Sequence, residues 1–169
     1  MCYLFAKEFN LPITVARPFN NYGPGMRVDD RRVPADFAKC VLENRDIEIL
    51  SSGAPTRTFC YVADAITGYL KCLTYGSFDY FNIGIETPEI SVNELAKHYQ
   101  KAGAHCGYTG KVIYGKSDDK EYLTHNPNRR CPIVKKARTK LGYAPEVTVG
   151  DGVDRFVRFL LHEKESGML

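Results

Sequence analysis

The sequence predicts an α/β fold, in which the end of a parallel sheet is followed by a smaller mixed α/β lobe. Residues 12–16 (PITVA) form an apolar run that alternates little, which is typical of a strand covered on both faces in a parallel sheet. A polar, glycine-rich segment, residues 17–25 (RPFNNYGPG), follows that strand directly. Stretches of helical periodicity then alternate with short strand-like runs through the rest of the 169 residues.

The first half of the chain is predicted to contain two helices and two strands. Residues 1–9 have a helical composition but no N-cap, so they look like the end of a longer helix. The buried strand covers residues 13–16. A second helix over residues 33–43 has Pro34 in its first turn, where proline is tolerated, and residues 47–50 form a short strand.

The clearest element of the second half is an amphipathic helix over residues 62–73. We expect its buried stripe to consist of the apolar residues at helical spacing: Val62, Ala65, Ile66, Tyr69, Leu70 and Leu73. Strands are predicted at residues 79–83 and 111–114.

Two further helices are marked by their starts. Ser91 and Glu94 have the spacing of a capping box, which opens a helix that runs to about residue 102. The last helix opens near Thr148 and has Asp151 in its first turn.

Composition excludes several classes of protein. The chain is 44% hydrophobic, enough for a sizeable core, and its net charge of +3 creates no strong field toward nucleic acid or membrane. No apolar stretch approaches the ~20 residues that a membrane span needs. The six cysteines form no Cys-x-x-Cys pair and no signal peptide is apparent, which favours reduced thiols in the cytoplasm. The four histidines have no ligand spacing, so no metal site is predicted.

The polar segment at residues 17–25 is the first candidate site. Ligands of open α/β sheets sit outside the carboxyl ends of the strands, and an Arg, two Asn and a Tyr follow the strand there. The plainer interpretation is a turn, because Asn, Gly and Pro are the usual turn residues.

Three segments resemble signatures of the extended short-chain dehydrogenase/reductases that act on nucleotide sugars, namely the NAD-dependent epimerases, dehydratases and decarboxylases. Residues 17–24 (RPFNNYGP) resemble the Arg-x-x-Asn-x-Tyr-Gly-Pro signature. Residues 57–64 (RTFCYVAD) resemble the Arg-x-Phe/Tyr-x-Tyr/His-Val-x-Asp segment. A third match covers residues 126–132 (NPNRRCP) and 136–145 (KARTKLGYAP). Among the subclasses, UDP-glucuronate decarboxylases look most similar.

The resemblance implies a division of the chain into two parts. Residues 1–32 would be the C-terminal remnant of a Rossmann-type NAD-binding domain, and residues 33–169 mainly a sugar-nucleotide-binding lobe, with returns to the Rossmann sheet allowed. It also implies NAD as the cofactor, a nucleotide sugar as the substrate and a homodimer as the complete enzyme. The implied chemistry is oxidation at the sugar C4 by bound NAD, followed by epimerisation, elimination or decarboxylation.

Six residues receive roles from the same resemblance. Asn20 would contact the sugar nucleotide, and the guanidinium fork of Arg57 would hold its pyrophosphate. Val33 would lie at a helix start over the substrate, and Arg130 would grip the nucleotide from the second lobe. The backbone of Pro18 and Phe19 would reach the nicotinamide end of NAD.

Each of these roles has a plainer alternative. Asn20 is a common turn former, and Arg57 is of the type that makes surface ion pairs. Arg130 belongs to a run of basic residues that would also suit a solvated helix face. Pro18 and Phe19 could simply pack at the end of a strand.

The sequence lacks the parts with which this family performs chemistry. No Gly-x-x-Gly-x-x-Gly or Gly-x-Gly-x-x-Gly loop occurs among the 14 glycines. Tyr3 and Lys7 form the one Tyr-x-x-x-Lys pair, but they lie too close to Arg17 to match the family's catalytic pair. We therefore expect a C-terminal half that is inactive alone, with an unpaired strand edge at residues 13–16 that promotes association.

Two departures from the family pattern stand out. Ile133 occupies the position where an Asp usually caps the next helix. Residues 50–53 (LSSG) replace a Tyr-Gly-Asp/Asn-Gly turn, so the aromatic contact to the base is in question.

Two rival functions remain open. A non-catalytic nucleotide-sugar-binding or regulatory module would keep the lobe without the chemistry. Nucleic-acid binding through the basic residues 129–140 is weaker, because aromatic residues are not interleaved there and the overall charge is low.

Overall fold

A computed structural model describes residues 1–115 and 127–168 and confirms the α/β class. Within these residues there are six helices: α1 (Cys2–Glu8), α2 (Val33–Leu42), α3 (Val62–Leu73), α4 (Val92–Ala104), α5 (Lys135–Leu141) and α6 (Val149–Glu165). The same part of the chain has nine strands: β1 (Thr14–Pro18), β2 (Asn21–Tyr22), β3 (Ile47–Ile49), β4 (Thr56–Arg57), β5 (Cys60–Tyr61), β6 (Asp79–Ile83), β7 (Ile90–Ser91), β8 (Val112–Tyr114) and β9 (Arg129–Arg130).

The longest strands, β1 and β6, pair in parallel, with Thr14 opposite Asp79 and Pro18 opposite Ile83. A later segment of the chain therefore returns to lie beside the first strand. The strand begins and ends later than the predicted residues 13–16. Full burial on both faces was a wrong expectation, because β1 is only half-buried and its last residues, Arg17 and Pro18, are exposed. No other described strand pairs with its second edge.

Short strands connect the remaining segments. Strand β2 pairs in parallel with β5, and β3 pairs in parallel with β8. Strand β4 lies between β7, to which it is antiparallel, and β9, to which it is parallel. In the β4–β9 register Arg57 lies opposite Arg130, so two residues far apart in sequence become neighbours.

The main core forms where α2, α4 and α6 pack together against the short strands. The capping box that opens α4 is confirmed, since Ser91 Oγ accepts from the Glu94 amide and the Glu94 carboxylate accepts from the Ser91 amide. Thr148 caps α6 in the same way by accepting from the Asp151 amide. Tyr22 is buried among aromatic rings and donates from its hydroxyl to the Val149 carbonyl at 3.2 Å.

Helix α3 has the predicted bounds but buries a different face. Its buried residues are Ala65, Gly68 and Cys72, whereas Ile66, Leu70 and Leu73 of the predicted stripe are 48%, 57% and 79% exposed. Small residues allow α3 to approach β1 and β6 closely, so the large apolar side chains turn away from the strands. The prediction of the buried stripe was therefore wrong for these three positions.

The missing aspartate cap at Ile133 is replaced from another part of the chain. Glu86 Oε1 accepts a hydrogen bond of 2.8 Å from the Val134 amide at the start of α5. A long-range carboxylate therefore satisfies an amide that the local sequence leaves open.

Candidate functional site

The polar segment at the end of β1, residues 17–25, forms what we call the mouth of the site. The Asn20 side chain joins this mouth to two other segments. Asn20 has a left-handed backbone, with φ 46°, which Asn tolerates better than most residues. Its Nδ2 donates to the carbonyl oxygens of Thr58 at 2.8 Å and Arg130 at 3.4 Å. Asn20 thus holds three segments of the chain together through its Nδ2. Its Oδ1 is the side-chain atom that could accept a hydrogen bond from a ligand.

Arg57 lies on β4 with only 8% of its surface exposed, so the surface-ion-pair alternative does not describe it. Its Nη1 donates to the Thr56 carbonyl at 2.7 Å. Burial and the neighbouring charge of Arg130 lower the pKa of Arg57, although an arginine stays protonated. A buried cation beside a like charge is a setting that an anion would stabilise.

The adjacent arginines of β9 have separate environments. Arg129 donates to Glu89 Oε2 at 2.7 Å and is held on the outer side of the strand. The guanidinium carbon of Arg130 lies 6.0 Å from the centre of the Phe19 ring, toward the mouth. The two adjacent arginines of β9 therefore differ, with Arg129 in an ion pair and Arg130 directed to the site.

One cleft of 220 Å³ is lined by all four residues that we predicted to bind substrate, Asn20, Val33, Arg57 and Arg130. We call it the arginine cleft. Seven further residues line it: Asn21, Met26, Arg31, Arg32, Pro34, Phe59 and Val92. No described acidic residue is among them. No pattern in the sequence indicates Val92 as a site residue, because only the tertiary packing brings the start of α4 beside the start of α2.

Arg32 reaches the cleft as part of an ion pair. Its Nη2 donates to Asp30 Oδ2 at 2.9 Å, and its Nη1 lies 3.4 Å from the carbonyl oxygen of Asn21. The hydrogen bond from Arg32 lowers the pKa of Asp30, and the same bond raises the pKa of Arg32. Arg32 therefore joins the loop before α2 to the mouth, and Asp30 balances its charge.

The two predicted cofactor contacts lie beside the arginine cleft rather than in it. Pro18 is exposed and borders a shallow depression of 400 Å³, the Pro18 depression, together with Asn21 and Tyr69. The Phe19 amide donates to the Ile83 carbonyl at 2.9 Å, which ties the end of β1 to β6. Asn21 borders both spaces, and its Nδ2 donates to the Tyr69 hydroxyl.

A second cavity of 290 Å³ adjoins the arginine cleft and shares Val33 and Val92 with it. We call it the Phe37 cavity after one of its apolar walls. It is also bordered by Leu50 and Ser51, from the turn that departs from the family pattern. Leu50 supplies an apolar surface there, but not an aromatic one.

The excluded candidates lie apart from the cleft. Tyr3 and Lys7 border a different depression, where the Tyr3 ring packs edge-on against Phe78 at 5.1 Å. Cys60 is fully buried, and burial raises the pKa of its thiol to about 11, so the group stays protonated at neutral pH. In the described ranges, no group of three or more potential ligands could hold a metal ion. His125 and Asn126 lie outside the described residues.

The basic stretch at residues 129–140 is largely neutralised. Besides the Arg129 ion pair, Asp79 contacts both Lys136 and Lys140, and Glu86 Oε2 lies 3.8 Å from Arg138 Nη1. Paired cations are poorly placed to bind a phosphate backbone. No helix in the part of the chain that the structure describes is long and apolar enough to cross a bilayer.

Comparison with known proteins relates the chain to enzymes of nucleotide-sugar metabolism. UDP-glucuronic acid decarboxylase 1 of Xenopus tropicalis is 28% identical over 168 residues, which cover 98% of this chain and 37% of that protein. The crystal structure of UDP-glucose 4-epimerase from Thermotoga maritima with UDP-glucose superimposes with a TM-score of 0.81 at 27% identity, covering 97% of this chain and 50% of that one.

A third relative contains both kinds of ligand. UDP-glucuronic acid 4-epimerase from Bacillus cereus, in complex with UDP-glucuronic acid and NAD, gives a TM-score of 0.77 at 26% identity over 95% of this chain and 49% of that one. The chain thus spans about half the length of these solved relatives, and its fold is part of their Rossmann-type architecture. Residues 1–84 match the NAD dependent epimerase/dehydratase family model. Through these residues, the chain belongs to the NAD dependent epimerase/dehydratase family.

Proposed function

We propose that the chain is the substrate-binding portion of an NAD-dependent nucleotide-sugar epimerase, dehydratase or decarboxylase, with UDP-glucuronate decarboxylase as the favoured subclass. One observation carries the proposal. Asn20, Val33, Arg57 and Arg130 come from four separate segments and line a single cleft. A family motif that marked only turns and surface charges would give no such convergence.

The pyrophosphate is assigned to Arg57 and Arg130. Their backbones are neighbours in the β4–β9 register, so their guanidinium groups approach the cleft from adjacent strands. Guanidinium groups bind phosphate oxygens through pairs of parallel hydrogen bonds. A diphosphate would also offset the repulsion between the two cations.

The nucleoside is assigned to the Phe37 cavity. This cavity adjoins the arginine cleft at Val33 and Val92, and Phe37 and Leu50 give it apolar walls. Ser51 offers a polar group at its border. A flat base would pack against these side chains while the phosphates extend into the arginine cleft.

The sugar would extend toward the Pro18 depression, where the complete enzyme would hold NAD. The Phe19 amide is already bonded to Ile83, so a contact from this segment to a nicotinamide carboxamide would come from a carbonyl oxygen. NAD supplies a hydride acceptor for a sugar C4 when it is bound. The proposed division is residues 1–32 for the NAD-binding domain and mainly residues 33–169 for the sugar-nucleotide lobe.

The complete enzyme is proposed to act as a homodimer, and this chain alone to bind without turnover. No glycine-rich dinucleotide loop is present in the sequence, and Tyr3 and Lys7 border a different space from the arginine cleft. Incubation with UDP-glucuronate and NAD should leave the nucleotide sugar unchanged by chromatography. Product formation by the chain alone would contradict this part of the proposal.

Binding of UDP, measured by isothermal titration calorimetry, tests the assignment directly. Arg130→Ala should weaken UDP binding about tenfold or more, because hydrogen bonds to a charged group contribute about 1.5–3 kcal/mol. Arg129→Ala is the matched control: it removes the same side chain one residue away and should leave UDP binding unchanged. The ratio of the affinities for UDP and UMP should fall in Arg130→Ala and stay unchanged in Arg129→Ala.

Arg57→Lys extends the test to the buried guanidinium. It keeps the charge but loses the planar fork, so UDP binding should weaken while the far-UV circular dichroism is retained. If Arg57→Lys and Arg130→Ala both bind UDP as tightly as the wild type, the pyrophosphate assignment is wrong.

A further inference from the structure

A polar contact joins the mouth to α3. Asn21, on β2, donates from its Nδ2 to the hydroxyl oxygen of Tyr69, in the second half of α3. Both residues are half-buried, and both border the Pro18 depression. Asn21 also borders the arginine cleft, so this contact lies where the two spaces meet.

The hydroxyl of Tyr69 has a proton to donate. A phenol can accept a hydrogen bond and donate one at the same time, and here its oxygen accepts from Asn21. No residue in the part of the chain that the structure describes is placed to accept the Tyr69 proton. Burial raises the pKa of Tyr69, so the hydroxyl keeps this proton at neutral pH. Asn21 therefore holds in place a donor that has no described acceptor.

Two other polar atoms at this junction are less suited to contact a ligand. Tyr22 also borders the Pro18 depression, but its hydroxyl already donates to the Val149 carbonyl at 3.2 Å. Asn21 Oδ1 is buried, without a donor among the described residues, so a ligand could reach it only if the side chain moved. Tyr69 is therefore the better placed of these polar groups.

The charge of the Pro18 depression indicates which kind of group Tyr69 would contact. Of the described residues that border the depression, only Arg32 is charged, and Asp30 balances its charge. Phosphates and carboxylates are favoured where an unbalanced cation faces them, and that condition is not met here. The depression therefore suits a neutral polar group.

The path of the ligand brings a sugar to this place. Asn21, Met26 and Arg32 border both the arginine cleft and the Pro18 depression, so the two spaces adjoin. In the proposed function, on which this inference rests, the diphosphate lies in the cleft and the sugar extends toward the depression. Sugar hydroxyl oxygens are neutral acceptors, which is what the Tyr69 proton lacks.

We propose that Tyr69 is a sugar-binding residue, whose hydroxyl donates a hydrogen bond to a hydroxyl oxygen of the sugar, and that Asn21 positions it. The contact contributes to the affinity for the sugar and not to the affinity for the diphosphate. Because its acceptor is a neutral hydroxyl, the contact strengthens the binding of a neutral sugar and of a sugar with a carboxylate to the same extent.

Calorimetric titration of the chain with UDP, UDP-glucose and UDP-glucuronate tests the proposal. Tyr69→Phe removes only the hydroxyl, so it should weaken the binding of both sugar nucleotides about fivefold, the effect of one neutral hydrogen bond, and leave UDP binding unchanged. Tyr80→Phe is the matched control. It removes a tyrosine hydroxyl on β6, away from the arginine cleft and the Pro18 depression, and should change none of the three affinities.

A second variant separates ligand contact from stability. Tyr69→Phe leaves Asn21 Nδ2 without its acceptor, whereas the double variant Tyr69→Phe/Asn21→Ala removes both polar groups, which costs a fold less than removing one. The double variant should lose no more sugar-nucleotide affinity than Tyr69→Phe, because Asn21 acts through Tyr69. Asn21→Ala alone should weaken both sugar nucleotides by a smaller factor. Urea unfolding of each variant verifies that the fold is retained.

Three outcomes would overturn the assignment while the proposed function stands. If Tyr69→Phe weakens UDP as much as UDP-glucose, Tyr69 supports the cleft and does not contact the sugar. If it changes none of the three affinities, its hydroxyl has no role in binding. If it weakens UDP-glucuronate alone, the acceptor is the carboxylate and not a hydroxyl. A wild-type chain that binds none of the three ligands would overturn the proposed function together with this inference.

Discussion

The side-chain amide of Asn20 donates a hydrogen bond of 2.8 Å to the backbone carbonyl of Thr58, 38 residues further along the chain. Through this bond the segment that follows β1 is fixed to the segment between β4 and β5. A second bond from the same nitrogen reaches Arg130 on β9 at 3.4 Å. The signature asparagine therefore assembles the cleft before it can contact any ligand.

Asn20→Ala should destabilise the fold by about 1–3 kcal/mol, because the buried Thr58 carbonyl loses its side-chain donor. The variant also places alanine at φ 46°, which adds about 1 kcal/mol of backbone strain. Urea unfolding followed by far-UV circular dichroism measures the loss.

Asn20→Gly separates the two contributions. Glycine removes the hydrogen bond but relieves the backbone, so it should be more stable than Asn20→Ala by about 1 kcal/mol. If Asn20→Ala is no less stable than the wild type, the bond to Thr58 contributes nothing to the fold.

Gly68 is a point of close contact between α3 and β6. A Cβ at this position would lie 2.6 Å from Ile83 Cγ2 and 3.0 Å from Tyr143 Cε2. Both neighbours are buried and Ile83 is branched at Cβ, so neither can move easily. Gly68→Ala should therefore destabilise the protein by about 1–3 kcal/mol in urea unfolding, although alanine is the better helix former.

Gly150 provides the matched control for Gly68. It also lies in a helix, α6, but a Cβ there would meet only His98, at an ordinary distance of 3.6 Å. Gly150→Ala should be neutral or stabilise the protein by up to about 1 kcal/mol. The interpretation of α3 packing fails if the two substitutions have effects of the same sign and size.

The contrast between α3 and the cleft shows what the sequence can predict. Periodicity located α3 at residues 62–73, because a spacing of 3.6 residues is a local property. It did not reveal that Gly68 faces the strands while Leu70 faces outward, because the buried side is chosen by the partner and not by the helix. An amphipathic pattern predicts the buried face of a helix only when the packing partner accepts large side chains.

The residues of the arginine cleft show the same difference between what is local in the sequence and what depends on tertiary packing. Arg57 and Arg130 could be nominated from motifs, but two-residue strands carry no periodic signal, so their pairing was not predictable. The role of Arg32 depended on which arginine of its loop Asp30 would balance, which only the loop geometry decides. The sequence indicates which side chains could bind a ligand, whereas the tertiary structure decides which charged side chains pair with each other.

Asp79 should make the protein sensitive to acid. Burial of its carboxyl raises the pKa, but hydrogen bonds from Lys136, Lys140 and the Tyr80 amide outweigh burial and lower it to about 2. An unfolded aspartate titrates near about 3.9. Because the folded pKa is the lower one, the stabilisation by Asp79 is fully present above about pH 4 and is lost as the pH falls toward 2.

Asp79→Asn tests this window, since asparagine cannot titrate. The stability difference between wild type and Asp79→Asn should be largest above pH 4 and should narrow steadily between pH 4 and pH 2, as measured by urea unfolding at each pH. Lys140→Met should lessen the same pH dependence, because it removes the donor 2.9 Å from Asp79 Oδ2. Glu165→Gln, at an exposed acid near the end of α6, is the control and should leave the wild-type profile unchanged. A stability difference for Asp79→Asn that stays constant from pH 6 to pH 2 would mean that the ion pair with α5 does not hold the carboxylate in its charged form.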